Sequence, residues 1–326
     1  MTLKELAKIA GVSISTVSKG LNDSPEIGKR TKQKITDLAK LYNYVPNKMA
    51  ITLKTGKTKT IGVIVPSIKN NFFARVIAGI EEVLNANNYN IVISITNESK
   101  EKEAAIIKTL SNGVVDGFII SVAEETQISQ EIDHFLHTKK NNKPVVLFDR
   151  IINTLNFDKV MADDNAVVFN TTKDLMSKGK TGIALVSAIS NLSVGKSRKQ
   201  GYLDAIKNNL DAIVIEADVN TIEAQIKTLL NSKKIDAIIA LDEDASLLAL
   251  KVANRKKLNI PNDLVIIGFA PSKLAKHLTP QLTTINQHGV TIGRTSTQLL
   301  IDKLKDTSLP PQRIIINSTI DHRETT

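Results

Sequence analysis

The chain has 326 residues, 42% of them hydrophobic, enough for two or three cores at roughly 100 to 200 residues per domain, which excludes a stapled mini-protein and a disordered tail. It has no cysteine, so disulfides, thiolate zinc sites, iron–sulfur clusters and cysteine nucleophiles are excluded together, and a reducing compartment is indicated. The formal charge of +10 is uneven: residues 1–60 hold 12 Lys+Arg against 4 Asp+Glu, a net of +8, while the remaining 266 hold 31 against 29. Basic charge gathered into one short segment is the electrostatic footprint of nucleic-acid binding. No apolar run approaches the roughly 20 residues that span a bilayer. The start MTLKELAKIAG is periodic and charged and has no signal-peptide core, so a soluble, cytoplasmic protein without membrane contact is expected.

In LKELAKIA, Leu3, Leu6, Ala7 and Ala10 fall at helical spacing with Ile9 beside them, and Gly11 follows where a helix stops. In VSISTVSKGLN, Ser13 or Ile14 opens a second short helix, and Val17 and Leu21 form an apolar i, i+4 pair. The third stretch, GKRTKQKITDLAKLYNY, puts Ile35, Leu38, Ala39 and Tyr42 on one face and Lys29, Arg30, Lys32, Lys34 and Lys40 mostly on the others. Three such helices close one small core, and Pro46 ends it. Residues 47–59 are polar and basic with an apolar trio, Met49, Ala50 and Leu53, before Gly56, which predicts a linker with helical potential.

From residue 60 the pattern changes. TIGVIVP, NIVISIT, GFIISV, PVVLFD, TGIALVS, IVIEA, DAIIAL and DLVIIGF are Val- and Ile-rich runs, most of them separated by helical stretches such as FFARVIAGIEEVLNANN and DDNAVVFNTTKDLMSKG. Buried strands alternating with helices imply an α/β fold with parallel sheets covered on both faces. Some eight strands over about 265 residues make two doubly wound lobes, with ligands expected where strand C-termini face a cleft.

At VSISTVSKGLN the chain resembles the lactose-repressor (LacI/GalR) family of bacterial transcription regulators, whose pattern is close to V-S-x-x-T-V-S-R-x-L-N. The resemblance continues through VPNKMAITLKTGKTKTIGVIVPSIKNNFFA and then VDGFII, PVVLFDR, DDNA, SRKQGYLDAI, IPNDLVIIGF and LTTINQ in family order, and so covers essentially the whole chain. It implies a helix-turn-helix headpiece over 1–46 and a hinge over 47–59. A periplasmic-binding-protein-like core follows, with its N-terminal lobe at 60–161 and 290–326 and its C-terminal lobe at 162–289. The implied function is a regulator, a repressor by resemblance, whose affinity for a palindromic DNA operator is set by a small effector, a sugar or sugar derivative.

In a helix-turn-helix the second helix enters the major groove with its N-terminal side chains at base edges. Ile14, Ser15 and Lys19 match the family's specificity positions. Ile14 suits a thymine methyl, Ser15 donates or accepts, and Lys19 donates to guanine O6 and N7, less rigidly than the Arg more common there. Ser13, Thr16 and Ser18 suit phosphate contacts and helix capping, and the resemblance adds Asn22 and Lys29 in the headpiece. In the linker it implies Asn47, Met49, Ala50 and Leu53, with Leu53 as a minor-groove wedge on a helix ordered only when two copies share one site. A homodimer follows, and Leu53→Ala is expected to weaken operator binding in a gel-shift titration without changing core stability. No heptad-bearing extension follows PQRIIINST, which favours a dimer over a coiled-coil tetramer.

No metal is expected: His134, His137, His277, His288 and His322 are scattered, and only His134 and His137 share a helix face, read here as solvated. Three GK[ST] triplets, at Gly56, Gly179 and Gly195, lack the earlier glycine of a phosphate loop, since Ile51, Asp174 and Ser190 stand in its place. There is no G-x-S-x-G elbow, and no cofactor is expected. The resemblance assigns Asp164, Arg198, Asp242 and Gln287 to the effector, with Asn70, Phe72 or Phe73 lining the other lobe. Carboxylates and an Arg fork suit adjacent hydroxyls, and an aromatic face suits a sugar ring.

Two departures stand against a simple hexose. Ala270-Pro271 follows Gly268-Phe269 where the family usually has Asp, and Val219 stands near the aromatic of many sugar-binding relatives. Glu243 replaces an Asp beside Asp242. An unusual sugar, an oligosaccharide fragment, a nucleoside and a phosphorylated metabolite all stay open. The rival readings are a doubly wound sugar-metabolising enzyme with a basic appendage, which needs a phosphate or dinucleotide loop, and a soluble sugar-binding transport component, which has no use for a +8 headpiece.

Overall fold

A computed structural model describes residues 1–45, 56–207, 209–232 and 234–326. It divides into two compact units, 1–58 and 59–326, which are described separately.

The first unit holds α1 (Leu3–Ala10), α2 (Ile14–Leu21) and α3 (Lys29–Leu41). Helix α1 opens on a capping box, in which Thr2 and Glu5 satisfy each other's backbone amides, and stops at Gly11 in the left-handed conformation. Ser13 caps α2 by accepting from the Thr16 amide at 3.1 Å, so the turn Gly11-Val12-Ser13 ends one helix and starts the next. Leu6, Ala7, Ala10, Val17, Ile35 and Ala39 form the core. Gly20 packs on this core, where a Cβ would lie 2.7 Å from Ile35 Cδ1 and force the end of that side chain to shift. Tyr42, expected on the buried face of α3, is 45% exposed; it lies past the last helical residue, where the chain turns, and Tyr44 packs on the core instead. Lys34 donates to the Ala10 carbonyl at the end of α1, and Lys32 pairs with Asp23. Two of the basic residues of α3 are thus tied to the end of α1 and to the loop after α2.

The second unit contains two six-stranded sheets. The first has the order β11-β5-β4-β3-β1-β2 and is parallel throughout, built from β1 (Thr60–Val65), β2 (Asn90–Ile95), β3 (Gly117–Ile120), β4 (Val145–Phe148), β5 (Asp158–Ala162) and β11 (Arg313–Ile316). The second has the order β12-β10-β9-β8-β6-β7, from β6 (Ile183–Ser187), β7 (Ile213–Glu216), β8 (Ala237–Ala240), β9 (Val265–Gly268), β10 (Thr283–Asn286) and β12 (Thr319–Asp321). Every predicted run is a strand, but β5, β10 and β12 were not foreseen. Each is short, and β5 alternates buried with half-buried positions rather than running apolar throughout. Both faces of each sheet carry an apolar cluster, as the continuous Val and Ile runs require.

The helices that position the cleft are α4 (Asn71–Ala86), α5 (Lys100–Ser111), α6 (Glu124–Ser129), α7 (Leu136–Lys140), α8 (Asp164–Ser177), α9 (Ser193–Ile206), α10 (Val219–Ser232), α11 (Glu243–Arg255), α12 (Ser272–Ala275) and α13 (Gly289–Lys305). The chain passes between the lobes three times: after β5, between β10 and α13, and between β11 and β12. Strand β12 corrects the expected division of the chain. It pairs antiparallel with β10, and Thr325 beyond it bonds to Ile266 and Thr283, so 319–326 completes the C-terminal lobe rather than the N-terminal one. Among the described residues no helix is long and apolar enough to cross a membrane.

Candidate nucleic-acid interface and ligand cleft

Helix α2 buries Val17 and Gly20 and leaves Ser13, Ile14, Ser15 and Asn22 exposed, with Ser18 and Lys19 half-exposed between them. Ile14 is 46% exposed although it is apolar and flanks a core with room for few such residues. Ser13 and Thr16 share a hydroxyl contact at 2.8 Å, which makes them the helix cap; Asn22 closes the other end by donating to the Ser18 carbonyl. Lys19 is not free: its ammonium pairs with Glu26 in the α2–α3 loop. Lys29 is exposed at the start of α3. The linker residues Asn47, Met49, Ala50 and Leu53 lie outside the described residues.

Between the two lobes of the second unit lies a cleft lined by Asn70, Phe72, Phe73, Arg198, Asp242 and Gln287, so six of the seven predicted residues meet there. Asn70 caps α4 by accepting from the Phe72 amide at 2.9 Å. Phe73 is buried and meets Phe148 edge-on at 6.2 Å, so its ring belongs to the core as well as the cleft wall, while Phe72 is half-buried. Arg198 is 4% exposed; its Nε donates to Asp164 at 2.7 Å, its Nη1 to the Leu241 carbonyl at 2.5 Å, and its guanidinium stacks on Phe269 at 3.8 Å. The seventh residue, Asp164, is buried behind Arg198 and does not line the cleft. Asp242 accepts from the Ala245 and Ala188 amides, one oxygen to each, capping α11 and tying β6 to it.

Sequence reasoning missed Asp149 and Arg150, which line the cleft at the end of β4. The signal was present in PVVLFDR, where a polar pair follows an apolar strand into the position that open α/β sheets use for ligands. Asp149 has φ of 58°, the left-handed region, and no protein donor reaches its carboxylate among the described residues. Burial, and next the charge of Asp164, push it up to about 6 against the pull of Arg150 and Arg198. Burial likewise raises Asp164, Asp242 and Glu243. Arg150 gives both Glu98 oxygens a hydrogen bond, at 2.8 and 2.7 Å. Ala270, Pro271 and Asp321 also reach the cleft, whereas Val219 is exposed elsewhere.

On the same side, Gln127 of α6 bridges the lobes. Its amide donates to the Ile151 carbonyl and to Ser193 Oγ, and its oxygen accepts from the Ser193 amide at 3.1 Å. His134, expected in solvent, instead packs against Phe135 and bonds to the fully buried Glu103 at 2.9 Å, because Glu103 already caps α6 and needs a further partner. Among the described residues no group of His, Asp or Glu side chains is arranged to hold a metal ion.

Residues 2–47 match the family of bacterial regulatory proteins, lacI family, and residues 58–323 match periplasmic binding proteins and sugar binding domain of LacI family. The chain is 30% identical to the catabolite control protein A of Priestia megaterium over all of this chain and 99% of that one. It is 28% identical to the ribose operon repressor of Haemophilus influenzae, over 99% of this chain and 98% of the other. The fold superposes on the lac repressor dimer bound to operator and the anti-inducer ONPF with a TM-score of 0.88 at 20% identity, covering 100% of this chain and 99% of that one. Together with the helix-turn-helix unit and the two-lobed cleft, the match over both parts places the chain in the LacI family, as a DNA-binding transcription regulator.

Proposed function

We propose that the chain is a repressor that acts as a homodimer on a palindromic operator and releases or grips it according to a sugar or sugar derivative held between the lobes. The observation that carries the DNA half is the outward face of α2, where Ile14, Ser15, Lys19 and Asn22 lie opposite the buried Val17 and Gly20. An apolar side chain left in water beside serines and a lysine matches what a major groove offers: a thymine methyl next to acceptor atoms. Ser13, Thr16, Ser18 and Lys29 position the helix on phosphates, and the linker residues Asn47, Met49, Ala50 and Leu53 enter the minor groove.

For the effector half, Arg198 and Asp149 present a donor fork and an acceptor to ring hydroxyls, and Phe72, Gln287 and Asn70 complete the walls. The resemblance to a ribose operon repressor supports a sugar, and the lac repressor dimer on its operator supports two copies per site. Effector binding favours one closure angle of the lobes. A coupling of about 1 to 3 kcal/mol then changes operator affinity about 5- to 150-fold. Selection by the full chain from a randomised duplex library tests the DNA half: a palindromic consensus is expected, and recovery of unrelated sequences in proportion to the input would refute it.

A further inference from the structure

Resting on the reading of the cleft as an effector site, we propose that it selects an uncharged polyhydroxyl ligand, a free sugar or nucleoside, and rejects the phosphorylated form of the same compound. Three cationic side chains line the cleft, Arg75, Arg150 and Arg198, and no lysine does. Arg150 is held by both oxygens of Glu98, and Arg198 by Asp164 and the Leu241 carbonyl. Each buried guanidinium is thus already neutralised by a carboxylate of this chain. Arg75 is exposed on α4, where water screens it.

The acidic side is not balanced in this way. Asp149 is 7% exposed, lines the cleft and receives no hydrogen bond from the protein among the described residues. Its carboxylate is an acceptor open to the cleft, and a ligand hydroxyl supplies a donor for it. Asp242 and Glu243 add two more carboxylates to the lining; Asp321 also lines it but is paired with Arg323. A phosphate entering here would meet these anions and no unpaired buried cation.

Two of the helix starts at the cleft, which otherwise attract phosphate, are occupied. The first turn of α11 is capped by Asp242 and carries Glu243 and Asp244, and that of α4 is capped by Asn70. Helix α13 begins at the buried Gly289, packed against Phe72, Arg75 and Val76 of α4. What the cleft offers suits hydroxyls and ring faces: the remaining Nη2 of Arg198, the amide of Gln287, and the rings of Phe72 and Phe269.

The test uses the full chain and matched pairs at equal concentration in thermal-shift titrations: D-ribose with D-ribose 5-phosphate, D-glucose with D-glucose 6-phosphate, and adenosine with adenosine 5′-monophosphate. In the pairs that bind, the free member is expected to stabilise the protein with an apparent Kd at least about tenfold below that of its phosphorylated partner. A phosphorylated member that binds as tightly as the free one, or more tightly, would overturn the inference while leaving the effector reading intact. If no member of any pair shifts the melting temperature, the effector reading falls and the inference with it. Glu98→Gln, which frees Arg150, is expected to narrow the gap between partners; an unchanged ratio in a cooperatively melting variant counts against the charge argument.

Discussion

Asp149 is the residue at which binding and folding pull in opposite directions. Its carboxyl is pushed up to about 6, first by burial and then by Asp164, so the folded chain holds that proton over a range where the unfolded chain has released it. As pH rises from about 4 through 6, ionising Asp149 therefore removes stability, about 3 kcal/mol when complete. Asp149→Asn should raise the melting temperature at pH 7.5 and flatten this acid-side dependence while weakening effector binding; a variant no more stable than the parent would contradict the assignment. At the proposed DNA face, Lys19 is the side chain assigned to base reading, and its ammonium pairs with Glu26. Lys19→Ala should cost about 1 to 3 kcal/mol of operator affinity and relax preference at one base pair, read by anisotropy against a set of single-base operator variants. The cap role of Ser13 follows from its neighbours in sequence. Asp149 does not, because its importance comes from Asp164 and Arg198 reaching it from the other lobe.

At the scale of elements, α9 is unusual in drawing its cap from another lobe. Its N-cap residue is Leu192, whose side chain caps nothing, and the Ser193 amide is satisfied by Gln127 across the cleft. Opening the lobes would uncap the helix that carries Arg198, so closure and the position of Arg198 are linked. Gln127→Ala leaves buried groups on Ile151 and Ser193 unpaired, at about 1 to 3 kcal/mol, and should lower the melting temperature and increase the radius of gyration in solution scattering. A variant with unchanged scattering and stability would show that the bridge does not hold the lobes. Such a contact has no local signature in the sequence, which explains why α6 was not foreseen as part of the site. The apolar strands were legible because burial on both faces demands unbroken Val and Ile. Strands β10 and β12 were not, since they are short and lie beside the points where the chain changes lobes. There Asp163 accepts from the Ser318 amide and His288 bonds to Thr319, so the three crossings are fastened to one another.

For the whole molecule, the charge division of +8 in residues 1–60 and nearly none beyond separates a unit that meets a polyanion from one that meets a small metabolite. The family resemblance was legible over the full chain because short motifs at fixed order sit at helix caps, strand ends and crossings, each with its own geometric requirement. The choice of effector was less legible, since the pairing of Arg150 and Arg198 with carboxylates distant in sequence decides it. In the proposed mechanism, one ligand in the cleft changes the grip of the headpiece on DNA. The most direct measurement is an anisotropy titration of the selected palindromic duplex with the full chain at fixed salt, with and without a sugar that raises its melting temperature. Two chains per duplex and a 5- to 150-fold change in apparent affinity, about 1 to 3 kcal/mol, are predicted. An operator affinity that the bound sugar leaves unaltered, or one no higher than for unrelated duplex, would contradict it.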